Sequence, residues 1–158
     1  MLHYKLQVGC LIIVLYIAFI YWRSKARTGT KYRWKIFDTI LVIGITYQIF
    51  DILTVYSVNH LGMVNDTVNR ILHIGFLMSI DAVIFVVFLY MLAITEYHSQ
   101  ERKKRRYFLW IPFVLNIIIV VANIGTLEFR TGNVSNYSMG VSAYTCFAMV
   151  AVYEALSI

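Results

Sequence analysis

Polar side chains that lie within long apolar segments are the residues of this sequence that could carry chemistry. Asp51, Arg70 and His73 flank a short polar stretch at 59–67. Arg70 and His73 are three residues apart and therefore occupy neighbouring positions on one helical face. Because histidine titrates near neutral pH, pairing of Asp51 with His73 or Arg70 predicts a ligand or pH site. The favoured alternative is an ion pair that only fixes helix packing, since buried charges pair first for solvation.

A second set of polar residues falls near the middle of three apolar segments: Gln48, Asp81 and Asn116. A rise of about 1.5 Å per residue places all three within about 3 Å of the same depth, which predicts a shared layer. The functional interpretation is a protonation or conformational switch centred on Asp81. The favoured alternative is static hydrogen bonding between helices, because no second ionisable group lies at this depth.

Catalytic, metal and cofactor motifs are not found in the sequence. Cys10 and Cys146 are the only cysteines, and both lie in apolar segments without CxxC or zinc spacing. Neither a Gly-rich phosphate loop nor a cluster of His, Asp and Glu is present. We therefore expect no catalytic residue, no metal and no cofactor, and the chain is not predicted to be an enzyme.

The elements that would position these residues are membrane-spanning helices. The chain has 158 residues, of which 60% are hydrophobic, and its mean hydropathy is +0.71. Each apolar segment approaches the roughly 20 residues that a helix needs to cross a hydrocarbon core about 30 Å thick. The pattern predicts an all-α polytopic transmembrane bundle, one domain over 1–158, with helices at about 2–22, 36–58, 68–95, 107–125 and 139–158. The fifth helix lacks a basic anchor after it, so a longer parent protein is expected.

Positive charge is concentrated in two loops. Residues 23–35 and 96–106 hold 11 of the 14 Lys and Arg residues, and the net charge is +6. Basic loops lie on the cytoplasmic side of multi-pass proteins. This predicts a cell-membrane protein with both basic loops in the cytoplasm and with the N-terminus, 59–67 and 126–138 outside. Nucleic-acid binding is excluded, because each basic block sits between apolar segments and no aromatic platform accompanies it.

Three segments carry a resemblance to a known family. They are Asp51–Leu61 (DILTVYSVNHL), Asn69–Ile74 (NRILHI) and Val141–Tyr153 (VSAYTCFAMVAVY). The sequence resembles the multi-spanning N-terminal membrane region of bacterial GGDEF-domain signalling proteins, diguanylate cyclases of clostridia and their relatives. The resemblance covers the whole chain and implies a sensor region that controls a cytoplasmic cyclase. No Gly-Gly-Asp-Glu-Phe loop is present in the chain, which would then be the input half alone.

The leading functional interpretation is a membrane-embedded sensory or signal-input module. A small transporter or channel component is the alternative, with Asp51 and Asp81 lining a pathway, although no broken helix or repeat pair supports it. An integral membrane enzyme is a third class that the residue pattern does not favour. The expected partners are the lipid bilayer, a second copy of the chain and a small ligand that the sequence does not identify.

Overall fold

The computed structural model describes residues 5–28, 32–95, 102–132 and 136–157, and these ranges are mainly helical. The helices are α1 (Lys5–Thr28), α2 (Tyr32–Asn59), α3 (Asp66–Thr95), α4 (Arg102–Ala122) and α5 (Val141–Ser157). A short 3₁₀ turn (Ile124–Thr126) leads from α4 into an antiparallel hairpin, β1 (Glu128–Arg130) and β2 (Tyr137–Met139). The predicted loop at 126–138 therefore contains two short strands. Gly140, with φ of +155°, makes the turn from β2 into α5.

The prediction of five helices is confirmed, with shifts at their ends. α1 continues through Arg23, Lys25 and Arg27 to Thr28, and α4 begins at Arg102, so much of both basic blocks is helical. Hydropathy marks the apolar part of a helix, whereas the helix itself continues into the polar region for as long as its backbone bonds can form.

In the part of the chain that the structure describes, three helices are long and apolar enough to cross a membrane. Their spans are Lys5–Lys25, Lys35–Asn59 and Asp66–Ile94. The apolar parts of α4 and α5, Phe108–Ala122 and Val141–Leu156, are shorter. At about 1.5 Å per residue, a segment of 15 or 16 residues covers roughly 23 Å, which is less than the hydrocarbon thickness of about 30 Å.

Helix α3 lies at the centre of the bundle and packs against α2, α4 and α5, whereas α1 packs mainly on α2. The α2–α3 pair is antiparallel, as ring contacts of Tyr47 with Phe76 (5.7 Å) and of Phe37 with Tyr90 (6.0 Å) show. Close approach is needed where Gly75 faces α2, since a Cβ atom there would lie 2.3 Å from the Phe50 ring.

The apolar core lies between α3, α4 and α5. Phe85 of α3 is 2% exposed and stacks on Phe113 of α4 at 4.7 Å between ring centroids. Pro112 lies inside α4 and cannot donate a backbone hydrogen bond. The Tyr153 hydroxyl of α5 donates to the Leu109 carbonyl oxygen at 3.1 Å. This bond joins α5 to α4 one residue after Phe108, whose carbonyl oxygen lacks its usual donor at position 112.

Candidate functional site

A polar cluster, defined as Thr54, Ser57, Asn69 and His73, lies between α2 and α3 near the end of the bundle that carries residues 59–66 and the hairpin. All four residues are buried, and Asn69 is 0% exposed. Ser57 Oγ donates to Asn69 Oδ1 at 2.7 Å, which joins the two helices directly. The Asn69 Nδ2 amide, in contrast, has no hydrogen-bond partner among the described residues.

His73 lies one turn below Asn69 and is 3% exposed. Its Nδ1 atom is 2.8 Å from the Asn69 carbonyl oxygen, and its ring meets Phe129 of β1 edge to face at 5.1 Å. A histidine bonded in this way keeps Nδ1 protonated when neutral, which leaves Nε2 as the acceptor. The hairpin therefore covers His73 with an aromatic ring.

Arg70 fastens the α4–α5 connection to α3. Its Nη1 atom donates to the carbonyl oxygens of Ile124 (2.8 Å), Gly125 (3.1 Å) and Leu127 (3.2 Å). Its Nε atom donates to Asp66 Oδ2 at 2.8 Å, and the guanidinium lies 5.7 Å from the centroid of the Phe129 ring. Arginine suits this role because its planar group offers several donors at fixed angles.

Asn136 provides the matching attachment to α2. Its backbone N–H donates to Asn59 Oδ1 at 3.2 Å, and its Nδ2 donates to the Val58 carbonyl oxygen at 2.9 Å. The described residues of the α4–α5 connection, 123–132 and 136–140, are thus bonded to both helices that form the polar cluster. We call these residues the cap.

The predicted pairing of Asp51 with Arg70 or His73 is wrong. Asp51 makes no ion pair within the described ranges, and the partners of Arg70 and His73 are those given above. Its carboxylate is instead within electrostatic range of Tyr47, one turn earlier on α2. The residues that face α3 include Phe50 and Ser57, and at 100° per residue Asp51 lies about a quarter turn away from their face. Position along a helix does not by itself decide the partners of a side chain, because the direction around the helix must also match.

Asp81 and Asn116, two of the three residues predicted in a shared layer, are hydrogen-bonded. Asn116 Nδ2 of α4 donates to Asp81 Oδ2 of α3 at 2.5 Å, and the residues are 5% and 0% exposed. Cys146 of α5 interacts electrostatically with the same carboxyl group. We call these three residues the Asp81 node.

Gln48, the third residue of that predicted layer, does not join the Asp81 node. Its Oε1 atom is buried and accepts no hydrogen bond from the part of the chain that the structure describes. Asp81 meets α4 and α5, and Gln48 belongs to α2, which packs on other faces of α3.

A connection near the opposite end of the bundle was missed by the sequence analysis. Lys25 of α1 forms an ion pair with Asp38 of α2, and Tyr21 contacts Phe37 at 4.7 Å. The sequence carries a sign of this ion pair, because Asp38 is the first acidic residue after the basic block 23–35.

No cluster of His, Cys, Asp and Glu that could hold a metal ion occurs in the described ranges. Comparison with family models, with curated proteins and with solved structures found no match to this chain. The buried side chains of the polar cluster and of the Asp81 node offer hydrogen-bond donors and acceptors.

Proposed function

We propose that this chain is a membrane-embedded signal-input module and that the polar cluster beneath the cap is where it senses. In this proposal all five helices span the cell membrane. The cap faces outside, and residues 23–35 and 96–106 face the cytoplasm, as the distribution of Lys and Arg favours. The apolar parts of α4 and α5 are short, and in this proposal the two helices still cross the membrane because their polar ends lie in the headgroup regions.

The observation that carries this proposal is the incomplete hydrogen bonding of Asn69. Asn69 is 0% exposed, and its Oδ1 atom accepts a hydrogen bond from Ser57. Its Nδ2 atom has no hydrogen-bond partner within the described ranges. In an apolar environment an unpaired donor costs on the order of several kcal/mol, so such a group favours any polar species that can reach it. The neighbouring His73 adds a ring nitrogen, Nε2, that can accept a hydrogen bond.

The cap supports signalling more than static packing. It is bonded to α3 through Arg70 and to α2 through Asn136, and it continues directly into α5. A change in the cluster would therefore be passed to α5, which carries it to the other end of the bundle. The resemblance to GGDEF-domain sensor regions completes the proposal, with a cytoplasmic cyclase as the output and a second copy of the chain as its dimer partner.

A transporter or channel component is supported less well. It would need Asp51 and Asp81 along one path, but Asp81 is enclosed by α3, α4 and α5, whereas Asp51 belongs to α2. Within the described ranges, no hydrogen bond or ion pair joins Asp51 to the helices that enclose Asp81.

The test is an output measurement in cells. The chain is fused at its C-terminus to an active GGDEF domain, and cyclic di-GMP is measured for the parent fusion and for Ser57→Ala and Asn69→Leu. Losing one buried hydrogen bond worth about 1 kcal/mol should shift a two-state equilibrium about fivefold, with a comparable change in output.

Ser79→Ala is the matched control. Ser79 is also buried, but its hydroxyl donates to the Phe76 carbonyl oxygen of its own helix at 2.7 Å. Its loss should leave the output unchanged. Equal cyclic di-GMP levels in all four fusions, at equal amounts of folded protein in the membrane, would refute the proposal.

A further inference from the structure

Asp81 is the most completely buried ionisable side chain in the described ranges, with 0% of the residue exposed. One of its oxygens, Oδ2, accepts the Asn116 amide hydrogen bond, and the other, Oδ1, has no hydrogen-bond partner within those ranges. The carboxyl group is thus surrounded by three helices and accepts one amide hydrogen bond, with the Cys146 thiol beside it.

Among the side chains that the structure describes, the groups that face Asp81 include no cation. From α4 the facing polar group is Asn116, which does not titrate. From α5, Cys146 and Tyr153 act on it electrostatically, and neither carries positive charge. No titratable group of α2 acts on it, and none of the ion pairs in the described ranges includes it.

A carboxylate in this position would be an unpaired charge in apolar surroundings. One amide donor offsets only a small part of the cost of removing a charge from water, whereas a carboxylic acid avoids most of that cost. The acid form also carries an O–H donor, so acid and amide can pair without a net charge.

We propose that Asp81 binds a proton reversibly and that this proton holds α4 and α5 against α3. On release, the O–H bond breaks, the proton passes to bulk water and the electron pair stays on the carboxylate. The charged form then favours separation of the helices, because water must reach it. The layers beside it would loosen first, including the contact of Leu77 with Val120. This inference does not depend on a sensory function.

The experiment uses the full chain in lipid nanodiscs with ¹³C-labelled aspartate carboxyl groups. The chain contains four aspartates, and Asp38, Asp51 and Asp66 provide the comparison. Infrared or NMR spectra should show a protonated carboxyl signal at neutral pH. That signal should be lost in Asp81→Asn and kept in Asp51→Asn, the other aspartate in the middle part of an apolar segment.

Thermal unfolding gives the second readout. Wild type should lose stability as the pH rises and the protonated signal disappears. Asp81→Asn, a neutral isostere, should lack this pH-dependent step. If Asp81→Asn does not fold, Asn116→Val supplies the assignment, since removal of the amide donor must shift the same signal. A missing protonated signal, its persistence in Asp81→Asn, an unchanged signal in Asn116→Val, or a signal that never titrates would overturn the proposal.

Discussion

Gly75 provides the sharpest test of how α2 and α3 meet. A Cβ atom added there would lie 2.3, 2.7 and 2.8 Å from three carbon atoms of the Phe50 ring. Contacts below 3 Å require the ring or the helix to move. Gly75→Ala should therefore weaken the helix pair that holds the polar cluster.

The magnitude follows from two opposing effects. Replacing glycine by alanine inside a helix stabilises it by about 0.5–1 kcal/mol, while overpacking a tight contact costs about 1–3 kcal/mol. Gly44 lies on α2 with nothing within 4 Å of its added Cβ, so Gly44→Ala shows the helix effect alone. The free energy of unfolding of Gly75→Ala should be lower than that of Gly44→Ala by about 1–3 kcal/mol.

The assay is denaturant-induced unfolding of both variants in one detergent, followed by tryptophan fluorescence. The double variant Phe50→Leu with Gly75→Ala replaces the ring by a smaller side chain. It should recover part of the lost unfolding free energy, because the clashing ring atoms are removed. Equal stability of Gly75→Ala and Gly44→Ala, or no recovery in the double variant, would show that the two helices do not approach as described.

Three further predictions concern topology, pairing and activity. Cysteines introduced at Gly29 and Gln100, which lie outside the described residues, should resist an impermeant thiol reagent in intact cells, and labelling of either would reverse the orientation. Asp51→Asn combined with Arg70→Gln or His73→Gln should be additive in unfolding free energy within about 0.3–0.5 kcal/mol, and larger coupling would contradict the separation seen here. The purified chain should form no cyclic di-GMP from GTP, and measurable product would contradict the input-module proposal.

The helices were predictable because their apolar segments are long. Predicted spans 36–58 and 68–95 differ from α2 and α3 by at most a few residues, and the short turn between them made the antiparallel pairing a safe expectation. The Asp81–Asn116 contact was also accessible from depth alone, since both residues sit in the middle of their apolar segments.

The cap and the partners of Arg70 were not predictable from the same reasoning. Strands of three residues within a segment rich in Gly, Asn and Ser show no usable alternation. Arg70 binds backbone carbonyl oxygens, which every residue possesses, so its partners carry no mark in the sequence. Pairing by opposite charge alone predicted Asp51 as a partner of Arg70 instead.

The attachment of the cap has a consequence for biogenesis. The acceptors of Arg70 follow it by 54, 55 and 57 residues in the chain. In the proposed membrane topology, α2 and α3 therefore enter the bilayer during synthesis before any of these acceptors exists. Until then the arginine retains only Asp66, one turn away. In that topology the guanidinium of the nascent chain stays at the water boundary, and the start of α3 remains at the surface until α4 has followed.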